Sequence, residues 1–369
     1  MSIKNKIVRI LYYTFVALIL LFAIWGVYFI TSNSSRLDFR VFYGAGIAAI
    51  KGKSIYTLYG IYTMPFWYFP WVAWMFIPFA ALTFSQAWYV YVILCCVLLW
   101  GILNYFADVF HVTQQMADKT FLYGMSLLLC LMLFNFGQTN ILVLALATLE
   151  VELLERKKYL AAGVLLPFVL MKPHLLLVFV IACLLKGGKH TFAGASIASL
   201  GMFTIESVLD PGWGNDLLNV FTYGSHRNDK LHWGHTTLPR LLGFPENFVG
   251  TANVPIIGLS ILVGILVIWR FRKIPAPQLI AISLAASLFC APRAFGYDLI
   301  LLFPAMLLIS ENFDWKILSF WILAILIPFA FNFSTGSYIL TLLVCGLSIW
   351  KLWVGSAQLG IAPVQSTAG

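Results

Sequence analysis

The chain has 369 residues, of which 61% are hydrophobic and only 10% are charged, and its mean hydropathy is +0.91. These values exclude an ordinary soluble globular domain and predict an all-α polytopic membrane protein. The formal net charge is +9, but the basic residues are spread over short loops. No basic, aromatic-rich surface domain is left for binding nucleic acid.

A first membrane-spanning helix is predicted over residues 10–30. It follows Lys4, Lys6 and Arg9, and basic residues at this position place the N-terminus in the cytoplasm. The apolar run is too long for a signal peptide and has no small-residue cleavage site, so we expect the helix to be retained.

Residues 32–86 are predicted to form a first outer loop that contains juxtamembrane helices, one of them over 40–50. Within this loop the stretch 65–82 is apolar enough to cross the membrane, but it contains three prolines. Proline inside a helix removes a backbone hydrogen bond and kinks the helix. We therefore interpret 65–82 as a juxtamembrane or re-entrant element.

About twelve transmembrane helices are predicted in a single transmembrane domain over residues 1–369, with a second large outer loop over 210–250. Basic clusters near residues 156–158, 186–189 and 270–273 are assigned to the cytoplasm, as are both termini. An alternative merges 159–186 into one crossing and moves the first cluster outside. The predicted spans are residues 10–30, 87–107, 120–135, 140–154, 159–171, 173–186, 191–209, 253–270, 278–291, 298–310, 316–332 and 336–353.

The predicted outer face carries nine of the 23 lysines and arginines. External loops of membrane proteins are normally poor in these residues. An anionic ligand at the outer interface would explain the excess. The nine are Arg36, Arg40, Lys51, Lys53, Lys172, Arg227, Lys230, Arg240 and Arg293.

Seven polar or aromatic segments follow one another in a characteristic order. They are Asp38 to Tyr43, Lys51 to Tyr56, Phe66 to Pro70, Ile77 to Leu82, Asn135 to Asn140, Met171 to Pro173 and Ala291 to Asp298. Together they resemble the motifs of the polyprenol-phosphate-mannose-dependent mannosyltransferase family, glycosyltransferase family 87, a branch of the GT-C superfamily. The resemblance covers most of residues 30–310.

The resemblance implies a GT-C fold in the cell membrane, with the active site on the extracytoplasmic side. We expect no cofactor and no metal ligand among the site residues. The implied reaction is inverting transfer of a hexose, most simply mannose, from a polyprenyl-phosphate donor to a hydroxyl of a glycolipid or glycan. Two other hypotheses are a transporter or flippase for a lipid-linked or anionic substrate, and a non-catalytic scaffold subunit. Transporters of that kind usually show internal repeats, and the 32–86 region has no counterpart in the second half of the chain.

Asp38 is the predicted catalytic base. A lipid phosphate is already a fair leaving group, so the enzyme chiefly needs a base for the incoming hydroxyl and cations for the departing phosphate. The alternative for Asp38 is the N-cap of a juxtamembrane helix. Arg40 and Arg36 are predicted to bind either the donor phosphate or anionic lipid head groups.

Lys172, Arg293 and His174 are further candidate ligands of the donor phosphate. Lys172 lies between two apolar runs, where an ammonium costs several kcal/mol unless it is paired or near the interface. The alternatives are a snorkelling Lys172, an ion pair between Arg293 and Asp298, and a His174 that only packs.

Seven residues are candidate sugar or acceptor ligands: Tyr43, Tyr68, Gln138, Asn140, His232, His235 and Asp298. For the tyrosines the alternative is the interfacial aromatic belt. For Gln138 and Asn140 it is hydrogen bonding to free helix ends. The two histidines have no third ligand nearby in the sequence, so we predict no metal site there.

Overall fold

The computed structural model describes residues 3–56, 65–112, 115–226, 254–291, 294–310, 317, 319–324 and 333–358, and no strand occurs in these ranges. The predicted all-α class is therefore confirmed. In chain order the α-helices are α1 (Ile3–Asn33), α2 (Leu37–Ile50), α3 (Pro70–Trp74), α4 (Ile77–Ala80), α5 (Phe84–Val109), α6 (Met116–Leu129), α7 (Leu131–Phe136), α8 (Asn140–Glu155), α9 (Tyr159–Val169), α10 (Pro173–Leu209), α11 (Trp213–His226), α12 (Val254–Phe271), α13 (Ala276–Cys290), α14 (Phe303–Ile309) and α15 (Phe333–Gln358); a 3-10 helix, Gly296–Leu302, precedes α14, and residues 319–324 are also helical.

Three of the described helices are long and apolar enough to cross a membrane: α1, α5 and α10. Within α10, however, Gly188 has φ 60° and ψ −146°, which is not helical. Glycine adopts positive φ without steric penalty, so it divides α10 into two helices. This confirms the predicted separation of 173–186 from 191–209. The number of about twelve spans stays a prediction.

Two predicted spans are interrupted in the structure. The span expected over 120–135 is divided at Cys130 into α6 and α7. Just before the break, the Ser126 hydroxyl donates to the Leu122 carbonyl, a contact that often bends helices. The span expected over 298–310 begins instead as the 3-10 helix and becomes α-helical at Phe303.

In the first predicted outer loop, the described residues 32–56 and 65–86 include three short helices. The juxtamembrane helix expected over 40–50 is α2, which begins three residues earlier, at Leu37. In the proline-containing stretch, α3 has five residues and α4 has four. Either is far shorter than the ~20 residues that a helix needs to cross a bilayer.

Helix α2 is packed tightly against the elements that follow it. Phe39 is fully buried, with its ring 4.9 Å from Tyr91 and 5.2 Å from Trp88 between centroids. A β-carbon on Gly46 would lie 2.7 Å from the Phe76 carbonyl oxygen. The contacts of Phe39 fix the first turn of α2, and the close approach that glycine permits at Gly46 fixes its C-terminal half.

One end of the helix bundle gathers the N-terminal part of α1, the end of α5 and the start of α6. There the Tyr12 hydroxyl donates to Asp118, and Lys119 forms an ion pair with Asp108 at 2.6 Å. Asp38 lies at the other end, since α2 follows the end of α1.

The basic clusters lie at the same end as the N-terminal part of α1. Glu155 accepts from the Ala276 amide at 2.9 Å, and Lys186 donates to the Ile274 carbonyl at 2.6 Å. A side-chain hydrogen bond between Glu152 and Tyr105 joins this group to the end of α5. The structure thus agrees with the preferred arrangement and not with the alternative that moves residues 156–158 to the other end.

We expect single cysteines at Lys51 and Ser85, in a variant without native cysteines, to react with an impermeant thiol reagent from outside the cell. A cysteine at Lys158, at the opposite end, should react only after the membrane is opened. All three positions are exposed. If Ser85 is labelled only from the cytoplasmic side, residues 65–82 cross the membrane and the predicted topology is wrong.

Candidate active site

Asp38 is the second residue of α2, and its carboxylate turns toward the loop between α7 and α8. Its Oδ2 accepts a hydrogen bond from Gln138 Nε2 at 2.6 Å. The N-cap of α2 is Arg36, which has φ 50°, so the N-cap alternative for Asp38 is wrong. A carboxylate in the first turn of a helix is nevertheless favoured by the helix dipole.

Gln138 is held under α2 by its neighbours. Gly137 ends α7 with φ 76°, and a β-carbon there would lie 2.5 Å from Phe39 Cβ. The buried Tyr91 hydroxyl donates to the Gln138 carbonyl at 2.6 Å. Glycine is needed both for the backbone angle and for the contact with α2. Gln138, only 3% exposed, is therefore fixed beside Asp38.

Lys172 lies between α9 and α10 and is 4% exposed. Its ammonium donates to Gln138 Oε1 at 2.8 Å and to Asn140 Oδ1, and it forms an ion pair with Asp298 Oδ1 at 3.3 Å. The ring centroid of Tyr297 lies 5.1 Å from Nζ. The buried ammonium therefore has an anion inside the protein and is not a snorkelling lysine.

Asp298 is almost completely buried, at 1% exposure. Besides the contact with Lys172, its carboxylate accepts from Asn140 Nδ2 at 2.6 Å and from the Phe295 amide at 2.7 Å. Asn140 also donates to the Tyr297 carbonyl at 3.0 Å. Among the described residues the ion-pair partner of Asp298 is thus Lys172. Arg293, which the sequence offered as an alternative partner, lies outside the described residues.

Five side chains from four distant segments form one continuous polar chain, which we call the Asp38–Asp298 network. Its members are Asp38, Gln138, Lys172, Asn140 and Asp298. Four of them are buried, whereas Asp38 is partly exposed. Within the network Asp38 is therefore the titratable group that an incoming molecule can reach.

Burial raises the pKa of Asp38 to about 6. The negative charge of Asp298 adds to this increase, while Lys172 and the hydrogen bond from Gln138 oppose it. A carboxylate with this pKa is still ionised at neutral pH, and it is a stronger base than an ordinary aspartate.

Of the two candidate tyrosines, the structure brings only Tyr68 near the network. Its pKa is raised, first by burial and then by the negative charges of Asp38 and Asp298. Tyr43, in contrast, is buried and donates its hydroxyl to the Leu82 carbonyl at 2.7 Å. That bond ties α2 to the residues before α5, so Tyr43 serves the fold.

Arg40 and His174 lie beside residues that are not part of the network. Arg40 places its guanidinium carbon 5.5 Å from the ring centroid of Phe84. His174 is exposed at the start of α10, where it lines a groove of about 220 Å³ together with Ser287 and Cys290. The remaining predicted site residues lie outside the described residues: His232, His235 and Arg293.

Sequence reasoning missed three residues that shape the site: Tyr91, Gly137 and Tyr297. Tyr91 lies in an apolar span, where a buried phenol needs an acceptor, and this was a usable signal. Gly137 and Tyr297 fall within the motif segments quoted above, but their roles depend on contacts with α2 and Lys172. In the described part of the chain, no group of three or more His, Cys, Asp or Glu residues is placed to hold a metal ion.

Comparison with known proteins identifies a family. The family model for glycosyltransferase family 87 matches residues 66–295, which is more than half of the chain. Gln138, Asn140 and Lys172 fall inside this range, whereas Asp38 precedes it and Asp298 follows it. No curated protein and no solved structure matches the chain.

Proposed function

The chain belongs to glycosyltransferase family 87, and we propose that it transfers a hexose, most simply mannose, from a polyprenyl-phosphate donor to an acceptor hydroxyl. The proposed acceptor is a glycolipid or glycan, and Asp38 is the proposed catalytic base. Membership of a glycosyltransferase family replaces the transporter and scaffold hypotheses. The observation that carries the proposal is a partly exposed carboxylate with a raised pKa at the end of an otherwise buried polar network.

In the proposed reaction, Asp38 removes the proton of the acceptor hydroxyl while the oxygen attacks the anomeric carbon. A bond forms between that oxygen and the carbon, and the bond from the carbon to the phosphate oxygen breaks. Polyprenyl phosphate leaves with the bonding electrons. A single displacement of this kind inverts the configuration of the sugar. Because Gln138 occupies Oδ2 of Asp38, we assign proton transfer to Oδ1.

Gln138, Asn140 and Lys172 are proposed to position Asp38 rather than to bind sugar. The ammonium of Lys172 can accept no hydrogen bond, so it faces the amide oxygens of both side chains. The Gln138 amide nitrogen is thereby directed toward Asp38. All three residues are buried, and the described hydrogen bonds of their side chains lie within the network, except for the one from Asn140 to the Tyr297 carbonyl.

The donor phosphate is proposed to bind Arg293, which precedes Asp298 by five residues. A guanidinium grips phosphate with two parallel hydrogen bonds. Lys172 is paired with Asp298, so we propose that it acts on the site through its charge. Arg40 contacts Phe84, and His174 lines a groove beside Ser287 and Cys290, so we include neither in the proposed phosphate site.

We propose that the Asp38 end of the bundle faces the extracytoplasmic side of the cell membrane. The basic clusters gather at the opposite end, and such clusters favour the cytoplasmic side. A lipid-linked donor would then reach Asp38 from the outer leaflet. The donor and acceptor would meet under α2, α3 and α4, and Tyr68 would contact the bound sugar or acceptor.

Incubation of the purified protein with a panel of sugar donors tests this function. The panel contains polyprenyl-phosphate mannose, polyprenyl-phosphate glucose and the matching nucleotide sugars, with a membrane lipid extract as the source of acceptor. We expect release of polyprenyl phosphate together with a glycosylated product, and fastest turnover with the mannose donor. Turnover with nucleotide sugars alone would reject the proposed donor class, and glucose preferred to mannose would reject the proposed sugar.

A further inference from the structure

An apolar groove of about 490 Å³ runs between α1 and α5. Its lining includes Val27 and Thr31 of α1, Tyr89 and Ile93 of α5, and Tyr123 of α6. Helix α1 packs mainly against α6 and α7, which leaves the space between α1 and α5 unfilled by side chains.

The groove follows α5 for about half the thickness of a bilayer. Its lining on α5 extends from Tyr89 to Trp100, which corresponds to roughly 16 Å of helix. Trp100 and Tyr123 close its far end, with ring centroids 5.1 Å apart, and the Tyr123 hydroxyl donates to the Cys96 carbonyl at 2.9 Å. An empty apolar gap of this size loses dispersion contacts along its walls. In a membrane, a lipid chain would restore them.

Arg36 lies at the end of the groove nearest Asp38. Its Nη2 donates to the Thr31 carbonyl at 3.2 Å, and its guanidinium carbon is 6.0 Å from the ring centroid of Tyr89. The Nε atom is buried without a hydrogen-bond partner. Among the described residues, no carboxylate forms an ion pair with Arg36. A partly exposed cation without a carboxylate partner among the described residues, at the mouth of an apolar groove, fits an anionic lipid head group.

We infer that this groove binds one chain of an anionic phospholipid, with the lipid phosphate held by Arg36. The indole of Trp88 lies between Arg36 and the site. Its ring centroid is 5.6 Å from the guanidinium carbon, and its far edge is 2.9 Å from where a β-carbon of Gly137 would be. A lipid phosphate on Arg36 is thus separated from Gln138 and Asp38 and is not the reacting donor.

The bound lipid would stabilise the start of α2. Arg36 is the N-cap of this helix, and its backbone amide donates to the Asn135 carbonyl at 3.2 Å. Asp38 follows two residues later. A phosphate on Arg36 therefore holds in place the turn that carries Asp38, and anionic phospholipid should raise the thermal stability of the protein. This inference does not depend on the proposed sugar donor.

The test compares the full-length protein in nanodiscs of phosphatidylcholine with and without phosphatidylglycerol. Thermal unfolding and lipid retention in native mass spectrometry are measured for Arg36→Gln, which removes the cation, and Ile93→Trp, which fills the groove. Matched controls are Lys51→Gln, an exposed cation at the other end of α2, and Val90→Trp, an exposed α5 residue outside the groove. We expect phosphatidylglycerol to raise the Tm of the wild type and both controls. This rise in Tm should disappear in Arg36→Gln and in Ile93→Trp. Retention of phosphatidylglycerol by Arg36→Gln should be weakened by about tenfold.

Three outcomes would overturn the inference. An equal phosphatidylglycerol shift in all five proteins would show that the groove holds no anionic lipid. If the phosphatidylglycerol-induced rise in Tm is lost in Lys51→Gln as fully as in Arg36→Gln, the rise depends on general surface charge and not on the groove. If polyprenyl phosphate, added to phosphatidylcholine nanodiscs, reproduces the Arg36-dependent shift and phosphatidylglycerol does not, the groove belongs to the donor lipid. Should Arg36→Gln be unstable in phosphatidylcholine alone, the Ile93→Trp variant decides, because it leaves Arg36 in place.

Discussion

Replacing Asp38 by asparagine is expected to lower the rate of sugar transfer by at least about 10²-fold, the usual loss when acid–base catalysis is removed. Asparagine has nearly the same shape and keeps an oxygen that can accept from Gln138 Nε2, the contact that orients the native carboxylate. It cannot take a proton from the acceptor. Steady-state release of polyprenyl phosphate measures the effect, and donor binding should survive.

The same substitution should raise stability at neutral pH. The pKa of Asp38 is about 6 in the fold, against an ordinary value of 3.8, mainly because of burial. A raised pKa means that the fold disfavours the charged form, so above pH 6 the carboxylate destabilises the protein by up to about 3 kcal/mol. Its destabilising effect disappears as the pH falls through 6 toward 3.8. The Tm advantage of Asp38→Asn should therefore be largest near pH 7.5 and smaller at pH 5.

The pH dependence of the wild type gives an independent check. If Asp38 is the base, kcat/KM should fall by about tenfold per pH unit below pH 6, because the protonated carboxyl cannot accept the proton. A suitable control is Asp216→Asn, since Asp216 is a partly exposed acid that accepts from the Ser54 hydroxyl at 2.8 Å outside the network. Normal turnover in Asp38→Asn, or an equal loss in Asp216→Asn, would end the assignment.

Replacing Lys172 by methionine is expected to destabilise the protein by about 3–5 kcal/mol, because it leaves a buried carboxylate without its cation. That carboxylate is Asp298, at 1% exposure and 3.3 Å from the ammonium. The double variant Lys172→Met with Asp298→Asn removes both charges and should recover most of the loss. Thermal unfolding of the single and double variants, with Asp298→Asn alone completing the cycle, measures the coupling.

Lys186→Met is the matched control for this cycle. Lys186 is partly buried and donates to the Ile274 carbonyl, and no carboxylate pairs with it among the described residues. Removing this hydrogen bond should lower the free energy of unfolding by about 1 kcal/mol. If Lys172→Met instead leaves stability unchanged and weakens binding of the donor, Lys172 is a phosphate ligand, as the sequence suggested, and its pairing with Asp298 is of little consequence.

Much of the architecture is readable from the sequence, since it depends on local features. Long apolar runs predict membrane helices because a bilayer accepts only segments whose backbone groups are satisfied internally. The prolines in 65–82 predict the short helices α3 and α4, and the break within α10 falls at Gly188, in the gap between two predicted spans. The order of the polar segments was sufficient to indicate the family that the comparison shows.

The sequence also placed Asp38, Gln138, Asn140, Lys172 and Asp298 among the candidates, but it could not assign their partners. It suggested a phosphate for Lys172 and a sugar or acceptor for Asp298, with Arg293 as the alternative partner of Asp298. In the structure Lys172 and Asp298 pair with each other across 126 positions of the chain. Asp38 and Gln138 are 100 positions apart.

Hydropathy and helix caps are properties of neighbouring residues, whereas the partner of a buried charge depends on which distant segments pack together. Here that packing is decided by close contacts such as Gly137 against Phe39, which places Gln138 under the first turn of α2. The sequence by itself thus determined an all-α membrane protein and its glycosyltransferase motifs. Only the tertiary structure decided that four of the motif side chains support one another, and that Asp38 is the partly exposed acid of their network.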